Sequence, residues 1–458
     1  MFKKIQQIHF IGIGGSGMSG IAEVLLTLGY KVTGSDVKES DVTQRLRSLG
    51  AMIYIGHEAS HSRGAHVVVT STAVSQNNPE VVEARAQSIP VIPRIEMLAE
   101  IARLKYTIAI GGTHGKTTTT SMIASVLDAG GLDPTVVVGG RLKHLNSGAH
   151  LGKGEYLVAE ADESDGSFLK LSPALSVITN IDNDHLDYYG TFDKICNAFV
   201  EFANRVPFYG CVAVCLDDEA VKANLPRMLR RVVTYGIREQ AQWQATNIRQ
   251  DEHGSTVFDV LFEGKPQGTF RLRVPGRHNV LNSLAATVIG FELGIPLSQI
   301  SRGLEQFEGV GRRLEVKGDA GGIVFIDDYG HHPTEVRATL SALKDRFSER
   351  RLVVLFQPHR YTRTQSLAKE FSEAFDAADR VFVLDVYAAG EKSIPGVSSA
   401  SILQPLQKRH SSASALSPVD FDELRRELRP GDVVLTLGAG DVWKLGEQLL
   451  QLISVPSR

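Results

Sequence analysis

Residues 106–120 read YTIAIGGTHGKTTTT and bring together the residue types that bind phosphate. An apolar run ends in Gly111 and Gly112, and Lys116 then precedes the last threonines. Glycines let backbone N–H groups approach an anion, because they have no Cβ, and the start of the following helix adds partial positive charge. Lys116 adds a full charge, and the hydroxyl of Thr117 suits Mg²⁺. This segment therefore predicts a turn that binds a nucleoside triphosphate.

The spacing differs from the usual phosphate-binding loop, which has four residues between its glycines. Here Gly111 and Gly115 enclose only three residues. The alternative interpretation is an ordinary glycine turn that carries an exposed lysine. The coincidence of glycine, lysine and threonine favours phosphate binding. The predicted ATP-binding residues of this turn are Gly112, Thr113, His114, Gly115, Lys116, Thr117 and Thr118.

A second glycine turn lies near the start of the chain. It contains Gly12, Gly14 and Gly17, and Asp36 follows nineteen residues beyond Gly17. This spacing predicts a diphosphate at a helix N-terminus and a carboxylate near a ribose, which fits NAD and a nucleotide sugar equally. An NAD-dependent dehydrogenase is therefore one alternative, and a scaffold that hydrolyses ATP without joining two substrates is another. Two separate phosphate sites favour an ATP-driven step on a phosphorylated substrate.

Carboxylates cluster after two strands of the middle region. EADESD occupies residues 160–165, and NIDNDHLD occupies residues 180–187. Parallel sheets bind ligands beyond the carboxyl ends of their strands, and so many carboxylates beside a triphosphate need a cation. The sequence therefore predicts Mg²⁺ there, with Mn²⁺ as the alternative.

Two polar turns of the last third predict a further site. IDDYGHHP, residues 326–333, and FQPHRYTR, residues 356–363, each follow an apolar run. Arg360 and Arg363 are close enough to bind one carboxylate together. Solvent-exposed arginines at a helix start are the alternative interpretation.

The elements that position these residues alternate between short β-rich runs and helical patterns, which is typical of parallel sheets covered by helices. The predicted fold class is α/β with three domains. Residues 1–105 form a Rossmann-like parallel sheet, and residues 106–311 form a P-loop-type ATPase domain to which residues 243–274 add antiparallel strands. Residues 312–458 form a second Rossmann-like domain.

Bulk properties exclude several classes of function. The chain has 458 residues, 49 basic and 52 acidic, so no strong field recruits nucleic acid or an anionic membrane. The opening segment MFKKIQQIHFIGIGG could imitate a signal peptide, but its apolar run ends in glycines. No later stretch approaches the roughly twenty apolar residues of a membrane span. We therefore expect a cytoplasmic protein without nucleic-acid or membrane partners. Cys196, Cys211 and Cys215 are too few for a disulfide framework and are predicted to be core residues.

Motifs in all three regions resemble those of the Mur ligase family. They are GIGGSGMSG followed by GSD, GGTHGKTTTT, TNIDNDHLDYYG, HNVLN, and the pair IDDYGHHP and PHRYTR. The resemblance implies an ATP-dependent ligase of peptidoglycan synthesis with UDP-N-acetylmuramate, L-alanine and ATP as substrates, acting as a monomer or weak homodimer. The alternative within the family is a recycling ligase that adds a peptide to the same nucleotide sugar. The wording of the opening glycine turn favours the alanine-adding branch.

The resemblance also implies roles for individual residues. The UDP-sugar site comprises Gly12, Gly14, Gly15, Ser16, Gly17 and Asp36, and the polar turn at Ser71 and Thr72 is a further candidate for this site. Thr117, Glu160 and His185 would bind the metal, with Glu163 as a second candidate. His278, Asn279 and Asn282 would contact adenine, although such residues also cap helices.

The remaining roles fall in the third region. Asp328 would lie near the nucleotide, and Arg312 could reach the ATP phosphates. The amino-acid site would comprise Tyr329, His331, Arg360 and Arg363. Lys116, Arg312 and His331 are the predicted catalytic residues, and direct loss of the amine proton to water is the alternative to His331.

One position departs from the family pattern. Several Mur ligases carry a carbamylated lysine on the helix after the DH motif. An ungapped count from His185 places Phe199 at that position. The sequence therefore predicts no carbamylated lysine.

Overall fold

The computed structural model describes residues 5–71, 73–142, 147–416 and 421–454. Three sheets lie in two compact units. Unit 1 comprises Met1–Ile248, Val257–Leu272 and Val280–Val310, and unit 2 comprises Arg249–Thr256, Arg273–Asn279 and Gly311–Arg458. The predicted division at residue 105 falls inside unit 1, and the three-domain division stays a prediction.

The first sheet is parallel and has the strand order β3-β2-β1-β4-β5. Its strands are β1 (Gln7–Ile11), β2 (Lys31–Asp36), β3 (Met52–Ile55), β4 (Val67–Thr70) and β5 (Val91–Pro93). Its helices are α1 (Ser16–Thr27), α2 (Asp41–Ser48), α3 (Pro79–Ala86) and α4 (Arg94–Ala102), with a 3₁₀ turn at Ala59–Ser62. The order reverses between β1 and β4, so a crevice opens beyond their carboxyl ends.

The central sheet has the order β15-β14-β13-β12-β11-β10-β6-β9-β7-β8. Its strands are β6 (Tyr106–Gly111), β7 (Thr135–Leu142), β8 (Ser147–His150), β9 (Tyr156–Glu160), β10 (Leu175–Ile178), β11 (Cys211–Cys215), β12 (Val232–Gly236), β13 (Trp243–Gln250), β14 (Thr256–Phe262) and β15 (Lys265–Leu272). Its helices are α5 (Lys116–Ala129), α6 (Leu186–Tyr189), α7 (Phe192–Asn204), α8 (Glu219–Asn224), α9 (Arg277–Glu292) and α10 (Leu297–Gln306). Strands β13 to β15 extend one edge of the sheet, as the sequence predicts.

The third sheet has the order β16-β17-β21-β18-β19-β20. Its strands are β16 (Glu315–Ala320), β17 (Ile323–Asp328), β18 (Arg351–Phe356), β19 (Arg380–Val383), β20 (Ala413–Ala415) and β21 (Asp432–Leu437). Its helices are α11 (Pro333–Arg346), α12 (Tyr361–Ser366), α13 (Ala368–Ser372), α14 (Ala400–Arg409), α15 (Phe421–Glu427) and α16 (Trp443–Ser454). Strand β16 is antiparallel to β17, and the other pairings of this sheet are parallel.

The cores follow from the alternation of side chains along the strands. In β17, Val324 and Ile326 join the core on one face of the third sheet, whereas Ile323 and Phe325 join the core on the other. In unit 1 a single core contains residues of both sheets, such as Phe10 of β1 and Leu157 of β9. The first and central sheets of unit 1 therefore share one apolar core.

The cysteines are buried, which confirms the predicted core role. Burial raises the pKa of the Cys211 and Cys215 thiols to about 12. Among the described residues, none of the helices combines the length and apolar character needed to cross a bilayer.

A buried polar network holds the first sheet to α3. The carboxylate of Glu80 accepts hydrogen bonds from Ser35 on β2, at 2.9 Å, and bonds the His57 ring at 2.8 Å. His9 on β1 also bonds Glu80 and has its other ring nitrogen 2.8 Å from the Thr33 hydroxyl. Burial raises the pKa of Glu80, but hydrogen bonds from His9, Ser35 and His57 outweigh it, so the pKa lies below its ordinary value of 4.5.

We predict that Glu80→Ala lowers the free energy of unfolding by about 3–5 kcal/mol, because it leaves the partners of a buried carboxylate unsatisfied. A lowered folded-state pKa contributes stability that is present above pH 4.5 and is lost as the pH falls through the folded pKa. Urea unfolding from pH 3 to pH 7 measures both effects. Glu83→Ala on the same helix, in an exposed ion pair with Arg63, is the matched control and should change stability far less. Equal effects of the two substitutions would contradict the prediction.

Candidate active site

The phosphate turn joins β6 to α5 through two glycines in the left-handed region. Gly112 has φ +131°, and Gly115, which precedes the helix, has φ +83°. A Cβ on Gly112 would lie 1.9 Å from the Thr179 hydroxyl oxygen, and one on Gly115 would lie 2.9 Å from the Asn282 side-chain oxygen. The turn can therefore form only where side chains are absent.

The turn is hydrogen-bonded to the segment that follows β10. The Thr113 N–H donates to the Asn180 carbonyl at 3.1 Å, and the His114 N–H donates to the Asn180 side-chain oxygen at 2.8 Å. In return, the Thr179 hydroxyl donates to the His114 carbonyl at 2.6 Å, and the Asp182 N–H donates to the Thr113 hydroxyl at 2.9 Å. Because β6 and β10 are neighbours, their carboxyl ends support each other. Residues at the start of the predicted metal cluster thus shape the phosphate turn.

Lys116 lies inside this turn. Its Nζ donates to the carbonyls of Gly112 and Thr113 at 2.7 and 3.0 Å, and to both carboxylate oxygens of Glu163 at 3.0 and 2.8 Å. The Glu163 side chain is 2 % exposed, so this ion pair is largely shielded from water.

The carboxylates beside Lys116 keep it charged. Burial lowers its pKa, but the charges of Glu163, Asp162 and Glu160 outweigh that effect, and the pKa lies above its ordinary value. The pKa of Asp162 shifts in the opposite direction. Burial raises its pKa, whereas the charges of Lys116 and Arg94 lower it more, to about 2. Opposite fixed charges therefore alternate along this edge of the sheet.

The predicted metal ligands lie around the same edge. Glu160 ends β9, Thr117 belongs to the first turn of α5, and His185 precedes α6 with φ +58°. The His185 Nε2 lies 3.8 Å from Glu163 and 3.7 Å from Asp184. Within the part of the chain that the structure describes, Glu160, Glu163 and His185 do not bring three donor atoms within 4.8 Å of one another. Phe199 is buried in the core on α7, and the absence of a carbamylated lysine stays a prediction.

The first glycine turn is braced by Asp36. The carboxylate of Asp36 accepts from the Gly14 N–H at 2.9 Å, and the Gly12 N–H donates to the Ser35 carbonyl at 2.8 Å. Gly15 precedes α1, and its own N–H donates back to the Gly12 carbonyl, closing the turn. Asp36 thus shapes the turn in addition to its predicted ribose contact.

The other predicted UDP-sugar residues fall at the same crevice. Ser71 follows β4, the neighbour of β1, and Gly17 is the second residue of α1. Ser16 begins α1, but its side chain is outside the described part, as is Thr72.

The three residues of α9 that are predicted to contact adenine have different neighbours. Asn279 donates from its side chain to the Pro275 carbonyl at 2.6 Å, which is the helix-capping alternative. Asn282 lies beside Gly115 of the phosphate turn. Burial and the nearby charge of Arg313 lower the pKa of His278 to about 4, so this ring is neutral at pH 7.

In unit 2, Arg312 organises the ends of β17 and β21. Its guanidinium bonds Asp327 at 2.9 Å and donates to the carbonyls of Gly438 and Gly440 at 2.7 and 3.2 Å. Its Cζ lies 5.1 Å from the centre of the Tyr329 ring. The turn at Gly438–Gly440, to which the sequence assigns no role, therefore holds this arginine.

Asp328 is a structural centre of unit 2. Its carboxylate accepts from the Leu314 and Gly330 N–H groups at 2.7 and 2.8 Å, and the Thr339 hydroxyl lies 3.3 Å away. Burial raises its pKa to about 6, against the lowering effect of Arg313. Its predicted contact with the nucleotide stays a prediction.

The predicted amino-acid residues meet at the ends of β17 and β18. Rings of Tyr329 and His331 have centroids 5.3 Å apart, and the His331 ring lies 5.6 Å from that of His359. Arg363 Nη1 lies 3.4 Å from the His359 Nδ1. Arg360 precedes α12 with φ +68°, and its buried Nε has no hydrogen-bond partner among the described residues. The structure thus assembles both predicted turns into one cluster.

Sequence reasoning missed two residues that lie outside both turns and contact this cluster, Tyr387 and Glu391. The His359 ring stacks on Tyr387 at 5.7 Å between centroids, and the Arg360 N–H donates to the Tyr387 carbonyl at 2.8 Å. Glu391 accepts from the N–H and hydroxyl of Thr362 at 3.1 and 2.7 Å. The segment VYAAGE, residues 386–391, contains no motif that would predict contact with residues about thirty positions earlier.

Taken together, two glycine turns at the carboxyl ends of parallel strands, one enclosing a lysine among carboxylates, define a nucleotide-dependent α/β enzyme. Family models agree with this class and refine it. The Mur ligase family catalytic domain matches residues 7–106, the Mur ligase middle domain matches residues 110–290, and the Mur ligase glutamate ligase domain matches residues 312–440. The chain belongs to the Mur ligase family, which favours the ligase over the dehydrogenase.

Individual relatives are similar over nearly their whole length. A UDP-N-acetylmuramate–L-alanine ligase of Endomicrobium trichonymphae is 56% identical over 99% of this chain and 100% of its own. The ligase of the same name from Geobacter sulfurreducens is 54% identical over 98% of both chains. The crystal structure of a UDP-N-acetylmuramate-alanine ligase from Thermotoga maritima is 31% identical, with a TM-score of 0.82 over 97% of this chain and 98% of that one.

We predict that Gly112→Ala slows ATP-dependent turnover by at least about 100-fold, since a displacement of about 1 Å at a reacting group has this effect. The added Cβ would force Thr179, and with it the phosphate turn, to move. Gly131→Ala is the matched control, because Gly131 also has positive φ, +73°, but nothing lies within 4 Å of its Cβ position. Phosphate release and thermal unfolding of both variants test this. Normal turnover by Gly112→Ala would contradict it.

Proposed function

We propose that this protein uses ATP to join L-alanine to the lactyl carboxylate of UDP-N-acetylmuramate, through an acyl phosphate, in peptidoglycan precursor synthesis. The observation that carries the proposal is the pair of phosphate turns within one compact unit, the second enclosing Lys116. Similarity to alanine ligases over nearly the full length supports the choice of substrates.

The first step transfers the γ-phosphoryl group of ATP to the lactyl carboxylate. An attacking carboxylate approaches another anion, so the cations beside it must offset the growing charge. Lys116 is already charged and enclosed by carbonyls, and the phosphate oxygens would compete with Glu163 for its ammonium. Arg312 is proposed to assist, with guanidinium N–H groups beyond those that hold Asp327 and the Gly438 turn.

A hard cation suits the edge of the sheet beside this lysine. Hydroxyl, carboxylate and imidazole donors of Thr117, Glu160 and His185 fit Mg²⁺ bound jointly with phosphate. Both oxygens of Glu163 accept from Lys116, so we propose Glu160 rather than Glu163 as the ligand. When bound, Mg²⁺ would draw charge from the phosphate oxygens; the protein's own contribution is to hold these donors at the strand ends.

The second step joins the amine of alanine to the acyl phosphate, and the tetrahedral intermediate expels phosphate. Arg360 and Arg363 would bind the alanine carboxylate, leaving its amine to react. The His331 Nδ1 lies 3.1 Å from the Tyr329 carbonyl, which can only accept a hydrogen bond. The neutral ring would therefore carry its proton on Nδ1, and Nε2 is the atom that would accept a proton from the amine.

We also propose that the chain acts in the cytoplasm as a monomer or weak homodimer. Its three domains would comprise residues 1–105, 106–311 and 312–458, each contributing one of the three substrate sites.

Lys116→Met should slow phosphoryl transfer by at least about 100-fold, because it removes the fixed cation beside the transferred group. Phosphate release with ATP, UDP-N-acetylmuramate and L-alanine measures this loss. Calorimetry should show unchanged binding of the nucleotide sugar, and Lys222→Met, in a surface ion pair with Glu239, serves as control. A variant that retained turnover would refute the role of Lys116.

Arg360→Ala should raise the KM for alanine by about 10-fold to 100-fold, as expected when a charge-assisted hydrogen bond is lost. The KM values for ATP and the nucleotide sugar should stay near those of the unmodified protein. Arg337→Ala, at an exposed position of α11, is the control. An unchanged KM for alanine would show that the carboxylate binds elsewhere.

A substrate panel tests the proposed function itself. Phosphate release should require both UDP-N-acetylmuramate and an amino acid, with L-alanine preferred over glycine and serine. Preference for a peptide would instead identify a recycling ligase. ATP hydrolysis indifferent to both substrates would identify a scaffold, and either result would overturn the proposal.

A further inference from the structure

The guanidinium of Arg94 lies against the first glycine turn. Arg94 begins α4 directly after β5, and Gly17 is the second residue of α1. A Cβ on Gly17 would lie 2.2 Å from the Arg94 Nη1 and 3.3 Å from its Nε. A side chain at position 17 would therefore displace this positive charge from its place beside the N-terminal turn of α1.

The other side of the same guanidinium bonds the central sheet. The Arg94 Nη2 donates to the Asp162 carboxylate at 2.7 Å. The next residue, Glu163, bonds Lys116 with both oxygens. A series of contacts thus runs from the first phosphate turn to the second.

The position of Arg94 also has an electrostatic consequence. A diphosphate at the N-terminus of α1 would meet the partial charge of the helix and a full charge from Arg94. The planar guanidinium can donate to phosphate with one edge while it bonds a carboxylate with another. A lysine could supply the charge but not both directed contacts.

We propose that Arg94 is a positioning residue: it holds the diphosphate of the nucleotide sugar and, through Asp162, fixes that diphosphate relative to Lys116. This inference rests on the proposed function. The distance between the two phosphate turns decides whether the lactyl carboxylate reaches the γ-phosphate, so a tether between them sets the geometry of the first step.

A neighbouring ion pair of α4 provides a control for the proposed role of Arg94, because it attaches the same helix without contacting the glycine turn. Glu96, two residues further along α4, bonds Lys170, which lies between β9 and β10 of the central sheet, at 2.8 Å, and both side chains are nearly half exposed. This pair also joins α4 to the segment between β9 and β10, but no glycine turn lies against it among the described residues. Its loss reports the purely structural effect of an α4 ion pair.

Steady-state kinetics of Arg94→Met, Arg94→Lys, Asp162→Asn and the Arg94→Met/Asp162→Asn double variant test the proposal. Arg94→Met should raise the KM for UDP-N-acetylmuramate at least about tenfold, the factor expected for one lost charge-assisted hydrogen bond. The KM values for ATP and alanine should change less than about twofold, as should every constant of Lys170→Met. The double variant should equal the worse single variant, since the two residues act as one unit. Arg94→Lys should recover only part of the loss.

Three results would overturn the inference: an unchanged nucleotide-sugar KM in Arg94→Met, single effects that multiply in the double variant, or an equal loss in Lys170→Met. Thermal unfolding of each variant identifies any that fail to fold, and Arg94→Lys then carries the test. Absence of turnover in the unmodified protein would instead overturn the proposed function, and this inference with it.

Discussion

The structure depends on how the phosphate turn is attached to the strand ends beside it. A turn that encloses a lysine cannot keep its shape alone, because its backbone groups need partners and its charge needs counterions. Asn180 satisfies the backbone at Thr113 and His114, and Glu163 satisfies Lys116. Since β6 lies between β10 and β9, both partners arrive from neighbouring strands. The parallel order of the central sheet is thus the constraint from which the site follows.

Much of this arrangement could be predicted from sequence. Apolar runs ending in glycine or carboxylates mark strand ends, and the sheet then brings those ends together, as at Lys116 and Glu163. The edge strand β3 escaped prediction because Met52–Ile55 is only four residues long and half exposed. Tyr387 escaped because only the fold places it beside His359. Contacts made across long sequence separations leave no periodicity to detect.

Several predicted site residues have a backbone conformation that side chains disfavour. His185, Arg312 and Arg360 all have φ between 58° and 68°. Each such position costs free energy and persists only where surrounding contacts enforce it. The bonds of Arg312 to Asp327 and Gly438, and of Arg360 to Tyr387, are contacts of this kind. Contacts with the ends of strands therefore hold Arg312 and Arg360 in these conformations.

The burial of all three cysteines has a practical consequence. Cys196, Cys211 and Cys215 lie in the core, and the raised pKa of the Cys211 and Cys215 thiols leaves almost no thiolate at neutral pH. Maleimide dyes and spin labels react with exposed thiolates, so we expect little labelling of the natural cysteines in the folded protein. A pair of cysteines introduced on the surface, one in each unit, could carry donor and acceptor fluorophores without removal of any natural thiol.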